Sequence, residues 1–346
     1  MKRILQAIAV TAILAGCSRS TAIKYTLSGS DPSFIDGKYM YILSYIGTTD
    51  ITIDSARIQN TAFTMKGTYP YPMMAYLYMG KDENGAQISE GSFILEKGSI
   101  RLEKQGDSFL LIGTPLNDRL HRFSEKIAAL EQNGRPEAID SLYLATEREN
   151  RNMFGLSLMV RLLQTHTGQE IAQMADSLPA SLQQHPALLE LRATIAGLRT
   201  DIGKPYIDIV GRTPDGDSIS LAGVVRKPGN RYLLVDFGAL WCGFCRDEFP
   251  NLTALYEKYR DCGFDIFGIS FDVNRKRWLE CIETYNMHWP QIHPEFGLHP
   301  RQTQAWRDYS LDGIPASYLI DCQTGLIIAK NLRGEILARK IAALLD

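Results

Sequence analysis

Charge of one sign is what this sequence has least of. Its 37 lysines and arginines face 39 aspartates and glutamates, leaving a formal charge of −2. Nucleic-acid binding needs a basic patch or stripe, and no basic cluster occurs, so that partner class is excluded. Cysteine is scarce too, six in 346 residues, and only Cys242 and Cys245 form a Cys-x-x-Cys pair. A zinc knuckle usually needs a second such pair. A c-type haem site needs His directly after the second Cys, where Arg246 stands. His288, His293 and His299 fall close together but lack a spacing such as His-Glu-x-x-His. No metal and no bound cofactor is expected. The apolar stretch Ile4 to Leu14 is too short for a spanning helix, which takes about 20 residues. Hydrophobic residues make up 45% of the chain, enough for packed cores and against disorder.

What is there centres on Leu233 to Pro250. Its first half is a continuous apolar run broken only by Asp236, as in a strand buried on both faces of a sheet. Trp241-Cys242-Gly243-Phe244-Cys245 follows, and then Leu252, Leu255 and Tyr259 recur at helical spacing. The two cysteines therefore sit where a strand hands over to a helix N-terminus. There the helix dipole and free N–H groups favour a thiolate, the reactive form, at Cys242. Cys245 lies one turn on, near enough to close a disulfide. A purely structural bridge is the remaining alternative, although such bridges seldom close so tight a loop at a helix start.

Asp236-Phe237-Gly238-Ala239-Leu240-Trp241-Cys242-Gly243-Phe244-Cys245 resembles the thioredoxin active-site segment. Pro250 stands where thioredoxins place the proline of their active-site helix, and Gly313-Ile314-Pro315 resembles their cis-proline loop. With Glu248-Phe249-Pro250 and the ending Gly-Ile-Pro-Ala-Ser-Tyr-Leu-Ile-Asp, residues 201–346 are most similar to the TlpA/ResA branch of extracytoplasmic thiol–disulfide oxidoreductases, grouped with AhpC/TSA-type redoxins. The resemblance implies an α/β thioredoxin-like fold. It implies that Asp236 exchanges a proton with Cys245 and that a cis Pro315 presents the Ile314 backbone to an extended substrate strand. Glu248 fits the same frame, although a solvated charge on the exposed side of the helix fits as well. The Gly243-Phe244 dipeptide departs from the Gly-Pro of thioredoxin, and this dipeptide tunes the redox potential.

At the N-terminus, Lys2 and Arg3 precede the apolar stretch, and Leu14-Ala15-Gly16-Cys17 resembles the site at which bacterial lipoproteins are cleaved and lipidated. Residues 1–17 then form a signal peptide, Cys17 carries the anchor, and the protein faces the periplasm. Ser18, with no Asp in its place, favours the outer membrane by resemblance to Gram-negative sorting. Export means an oxidising compartment. An ordinary signal peptide with a chance Cys is the alternative.

The architecture expected is multidomain. Residues 23–115 alternate and turn often, with strands at Tyr39–Leu43, Ile51–Ile53, Ala75–Tyr78 and Phe109–Ile112, which predicts an antiparallel β domain, sandwich or barrel. It resembles the uncharacterised β domain that lipoproteins of the Bacteroidetes type carry ahead of a thioredoxin. Its tyrosines and Met73-Met74 are read as core rather than partner surface. Residues 116–200 carry helical stripes broken at Gly134-Arg135-Pro136, Leu178-Pro179 and His185-Pro186, giving three or four helices that act as a spacer. His166 and His185 are read there as solvated. Cys262, Cys281 and Cys322 are single and read as packed, inert thiols, with a second bridge among them left open.

The function expected is disulfide exchange in the reducing direction on exported proteins, apocytochrome c among the substrate classes, with a membrane electron donor restoring the dithiol. Two rivals stand beside it. A thiol peroxidase would resemble a Pro-x-x-x-Thr-x-x-Cys frame, but Ala239 stands three residues before Cys242. A binding lipoprotein would act through its β domain.

Overall fold

The computed structural model describes residues 22–46, 49–81, 87–135 and 137–346. The proposed signal peptide and Cys17 lie outside the described residues. The chain divides into two compact units, one up to Asp118 and one from Arg119 onward.

The first unit is built of β1 (Ile23–Ser30), β2 (Tyr39–Ile46), β3 (Thr49–Arg57), β4 (Ala62–Tyr69), β5 (Met73–Lys81), β6 (Gln87–Leu95), β7 (Gly98–Gln105) and β8 (Ser108–Ile112). They form two four-stranded sheets, β4-β1-β7-β8 and β3-β2-β5-β6. β1 pairs antiparallel with β4, β2 with β5, β5 with β6 and β7 with β8, whereas β1 and β7 run parallel. Alternation explains the sandwich: Ile23, Tyr25 and Leu27 of β1 and Ile100 and Leu102 of β7 face inward, meeting Ile42, Leu77 and Phe93 of the other sheet in one core. Met73 joins that core. The helix α1 (Pro115–Gln132) starts against β6, where the Asn117 side chain pairs with both backbone groups of Ile94 at 2.7 and 2.8 Å.

The second unit opens with the rest of α1, then α2 (Glu137–Glu149), α3 (Met153–Leu162), α4 (Gly168–Asp176) and α5 (Pro186–Gly197). This is one helix more than the Gly and Pro breaks predict. Two breaks are unforeseen, before α3 and before α4: Asn152 accepts the N–H groups of Phe154 and Gly155 as an N-cap, and the Thr167 side chain accepts the N–H of Glu170. His185 caps α5 in the same way through Nδ1 and is buried, and His166 Nε2 lies 3.4 Å from Asp140. Neither histidine is solvated, because each stands where a helix end or a carboxylate claims its ring.

The sheet follows. After a short hairpin of β9 (Val210–Arg212) and β10 (Ser218–Ser220) comes α6 (Leu221–Val225), then β11 (Tyr232–Gly238), α7 (Gly243–Tyr259), β12 (Phe264–Ser270), α8 (Arg275–Thr284), β13 (Gln291–Ile292), α9 (Gln304–Asp308), β14 (Ala316–Asp321), β15 (Leu326–Lys330) and α10 (Gly334–Leu345). The hairpin is short, and residues 206–209 ahead of it are not strand. The sheet order is β13-β12-β11-β14-β15, with β11, β12 and β13 parallel and β14 and β15 antiparallel to their neighbours. Both faces of β11 are covered, which is why it reads as continuously apolar. Leu233, Val235 and Phe237 enter one core layer, and Leu234 enters the other, beneath α7 and α10.

The helices α3 to α5 are tied into this unit. Lys330 of β15 makes a 2.7 Å ion pair with Asp201, both side chains being about 95% buried. The second oxygen of Asp201 accepts the N–H of Gly168, the first residue of α4, at 2.6 Å. The helical segment therefore packs as part of the redox unit and is no free-standing spacer.

Candidate active site

Because β11 ends at Gly238 and α7 begins at Gly243, the intervening loop delivers Cys242 to the helix N-terminus, where it is the N-cap residue. Its Sγ accepts the N–H of Cys245 at 3.2 Å, one of the four N–H groups a helix start leaves without an internal partner. Cys242 and Cys245 form a disulfide, S–S 2.17 Å. The loop is tied to the end of β12: the Trp241 indole donates to the Phe271 carbonyl at 3.1 Å, and the Leu240 N–H donates to Asp272 at 3.0 Å. Both sulfurs are buried, whereas Trp241 is 56% and Phe244 78% exposed. The pair thus sits in a shallow recess with an aromatic lip on each side. Gly243 beside it is exposed.

Across the recess stands the loop before β14. The Ile314–Pro315 peptide is cis. The Ile314 carbonyl oxygen lies 3.6 Å from Cys242 Sγ. The Arg333 guanidinium donates to the Pro315 carbonyl from the loop ahead of α10.

Asp236 points from β11 to the same side of the sheet as Leu234, the side covered by α7. Burial raises its pKa to about 7; the carboxylate of Glu248 adds to the rise and the Arg333 guanidinium opposes it. A cavity of about 20 Å3 adjoins it, lined also by Gly268, Gln291 and Cys281. At Gly268, the position paired with Asp236, a Cβ would lie 2.5 Å from the Gln291 side-chain oxygen and force that side chain to move. Glu248 is half-buried, not on an open face. Both its oxygens accept the Gly334 N–H, at 3.0 and 3.2 Å, and one also accepts from Asn251 at 2.7 Å. A carboxylate at a helix N-terminus is favoured by the dipole, and here it joins α7 to the start of α10.

The structure thus gathers Cys242, Cys245, Trp241, Phe244, Ile314 and Pro315 around one recess, with Asp236 and Glu248 behind it. Cys262 is exposed and free, while Cys281 and Cys322 are free thiols whose pKa burial pushes up to about 12. His293 is buried, stacked on Phe296, with Nε2 at 2.8 Å from the Asp272 carbonyl. Sequence reasoning missed Asp272, Arg333 and Asn331. The one signal for Arg333 is Asp236 itself, since a buried acid draws some cation near it.

Two stretches of the chain are similar to known proteins. Residues 25–120 match a domain of unknown function, DUF4369, and residues 202–328 match the AhpC/TSA family. The thiol–disulfide oxidoreductase ResA of Bacillus cereus is 26% identical over 137 residues, 40% of this chain and 72% of that protein. The thioredoxin domain of a thiol–disulfide oxidoreductase from Bacteroides vulgatus is 31% identical, covering 42% of this chain and 98% of that one, with a TM-score of 0.37. A thiol:disulfide interchange protein from Bacteroides sp. is 30% identical, over 42% and 91%, with a TM-score of 0.38. Residues 202–328 are therefore a thioredoxin-like redox domain of the AhpC/TSA type, similar to that of thiol–disulfide oxidoreductases, and they follow a domain of unknown function.

Proposed function

We propose that the protein is a lipid-anchored reductase of protein disulfides on the periplasmic side of the cell envelope, held there through Cys17. Cys242 thiolate attacks one sulfur of a substrate disulfide, and the other substrate sulfur leaves as a thiolate and takes a proton. Cys245 gives its proton to Asp236 and attacks the Cys242 sulfur of the mixed disulfide. The second substrate thiolate leaves, and the two electrons have passed from the dithiol to the substrate. A membrane electron donor of the dithiol class then restores the pair. Apocytochrome c is a substrate class this reading takes from the TlpA/ResA resemblance.

The observation that carries the reading is the position of Cys242 Sγ, which accepts a helix N-terminal N–H at 3.2 Å and lies 3.6 Å from the carbonyl of the cis-proline loop. The first contact stabilises a thiolate, and the second puts it beside backbone able to pair with an extended strand. Asp236, with its pKa near 7, is matched to proton exchange at neutral pH. Peroxide chemistry is disfavoured because buried Ala239 offers no hydroxyl where the Thr of the peroxidase frame would stand. Among the described residues no helix is long and apolar enough to cross a membrane.

Trapping tests the reading. With Cys245→Ser, a protein disulfide should accumulate as a mixed disulfide on Cys242, and with Cys242→Ser turnover should vanish. Turnover that persists in Cys242→Ser, or an adduct on the exposed Cys262, would sink it.

A further inference from the structure

The loop ahead of Pro315 borders two clefts. One, of about 1130 Å3, runs past Trp241, Arg246 and Val273. The other, of about 700 Å3, has Phe244, Ile314 and Pro315 on one side and Tyr143, Arg161 and Thr165 of the helical segment on the other. Asp312, Gly313 and Ile314 line both. A chain laid across Ile314 beside Cys242 therefore enters one cleft on each side of the reactive sulfur.

The helical wall is fastened in place. Gln164, just past α3, donates Nε2 to Asp312 at 2.8 Å, ahead of the cis-proline. Its backbone carbonyl accepts from Asn331 at 2.8 Å, in the loop after β15. Asn331 in turn donates its N–H to the Ser317 carbonyl at 2.7 Å. The end of α3 is thus hydrogen-bonded to both loops that frame Pro315. Its lining is acidic: Glu131, Asp140, Glu248, Asp312 and Glu335 outnumber Arg161 and Arg333. Arg333 is already engaged by the Pro315 carbonyl.

We propose that α2 and α3 form the second wall of the substrate groove, and that its occupant is the extended polypeptide flanking the substrate's reactive cysteine, with a Lys or Arg side chain on the helical side. The inference rests on the disulfide-exchange reading above. Continuity fixes the occupant: a protein disulfide brought to Cys242 carries its flanking backbone over Ile314–Pro315, and the adjoining space is this cleft. Complementary charge then selects among flanking sequences and acts chiefly on encounter, so it weakens with salt.

The test uses the full chain with Cys245→Ser, with Cys262→Ser to remove the exposed free thiol, and with p-benzoylphenylalanine at position 161, which is exposed. Two cysteine peptides, alike but for a Lys or a Glu beside the cysteine, are activated as mixed disulfides with nitrothiobenzoate. Cys242 thiolate attacks the peptide sulfur and expels the coloured thiolate, so colour reads the rate and the peptide stays bound through sulfur. Illumination should then cross-link the peptide to position 161. In the Cys245→Ser/Cys262→Ser chain with Arg161 intact, the Lys peptide should react about fivefold faster than the Glu peptide at low salt. That ratio should fall toward one in 0.5 M salt and in Glu131→Lys/Glu335→Lys. Colour release without a cross-link overturns the groove, and a ratio near one at low salt overturns its cationic preference, while either leaves exchange at Cys242 standing. No colour release overturns the exchange reading and the inference with it.

Discussion

Asp236 shows what burial does to one residue. Its position was legible because an acid inside an otherwise apolar strand is conspicuous, and the fold places it against α7, where a carboxylate is costly. Its folded-state pKa, about 7, stands above the ordinary 3.8, so the folded state holds this proton more tightly than the unfolded chain. A raised acid destabilises the fold progressively as pH climbs from about 4 to about 7, and fully above that. Asp236→Asn should therefore stabilise the oxidised protein by up to about 4 kcal/mol above pH 8 and by almost nothing near pH 4. Urea unfolding followed by tryptophan fluorescence measures this cleanly, since all four tryptophans lie between residues 241 and 306. A difference independent of pH would contradict the account. Glu248 was harder to read. A charge at a helix start looks solvated in sequence, and only the return of α10 to the same point makes it the cap of a second helix. Arg333 was illegible, because which of 37 basic residues approaches a buried acid is decided by tertiary folding.

At the scale of elements, periodicity gave β11 and α7, because buried strands and amphipathic helices write their contacts into local order. The helical segment was read less well. Gly and Pro mark only some of its breaks, whereas Asn152 and Thr167 open α3 and α4 by capping alone. Nor could spacing show that these helices are pinned by Asp201 and Lys330. That pair makes a specific prediction. Lys330→Met leaves a buried carboxylate without its cation and should cost roughly 3 kcal/mol. Lys330→Met/Asp201→Asn should recover much of the loss, since neither side chain then carries a charge. Denaturant midpoints of the two variants measure it, and equal losses would show that the ion pair does not fasten the helices.

For the whole molecule, the sequence separated sandwich, helices and redox domain by composition and motif, yet compositional change marks where the chain alters, not which pieces pack together. The helices fold into one compact unit with the redox domain, so the apparatus around Cys242 is larger than its motifs. The sandwich is built on its own core, and its alternating strands specify packing. The proposed function centres on the Cys242–Cys245 couple and on the direction in which it passes electrons. Its redox potential, taken on the full chain by equilibration with dithiothreitol or glutathione buffers, tests that most directly. A value near about −270 mV is the predicted result, that of a reductase supplied by a membrane donor. A value near about −120 mV would contradict it and make the protein a donor of disulfides.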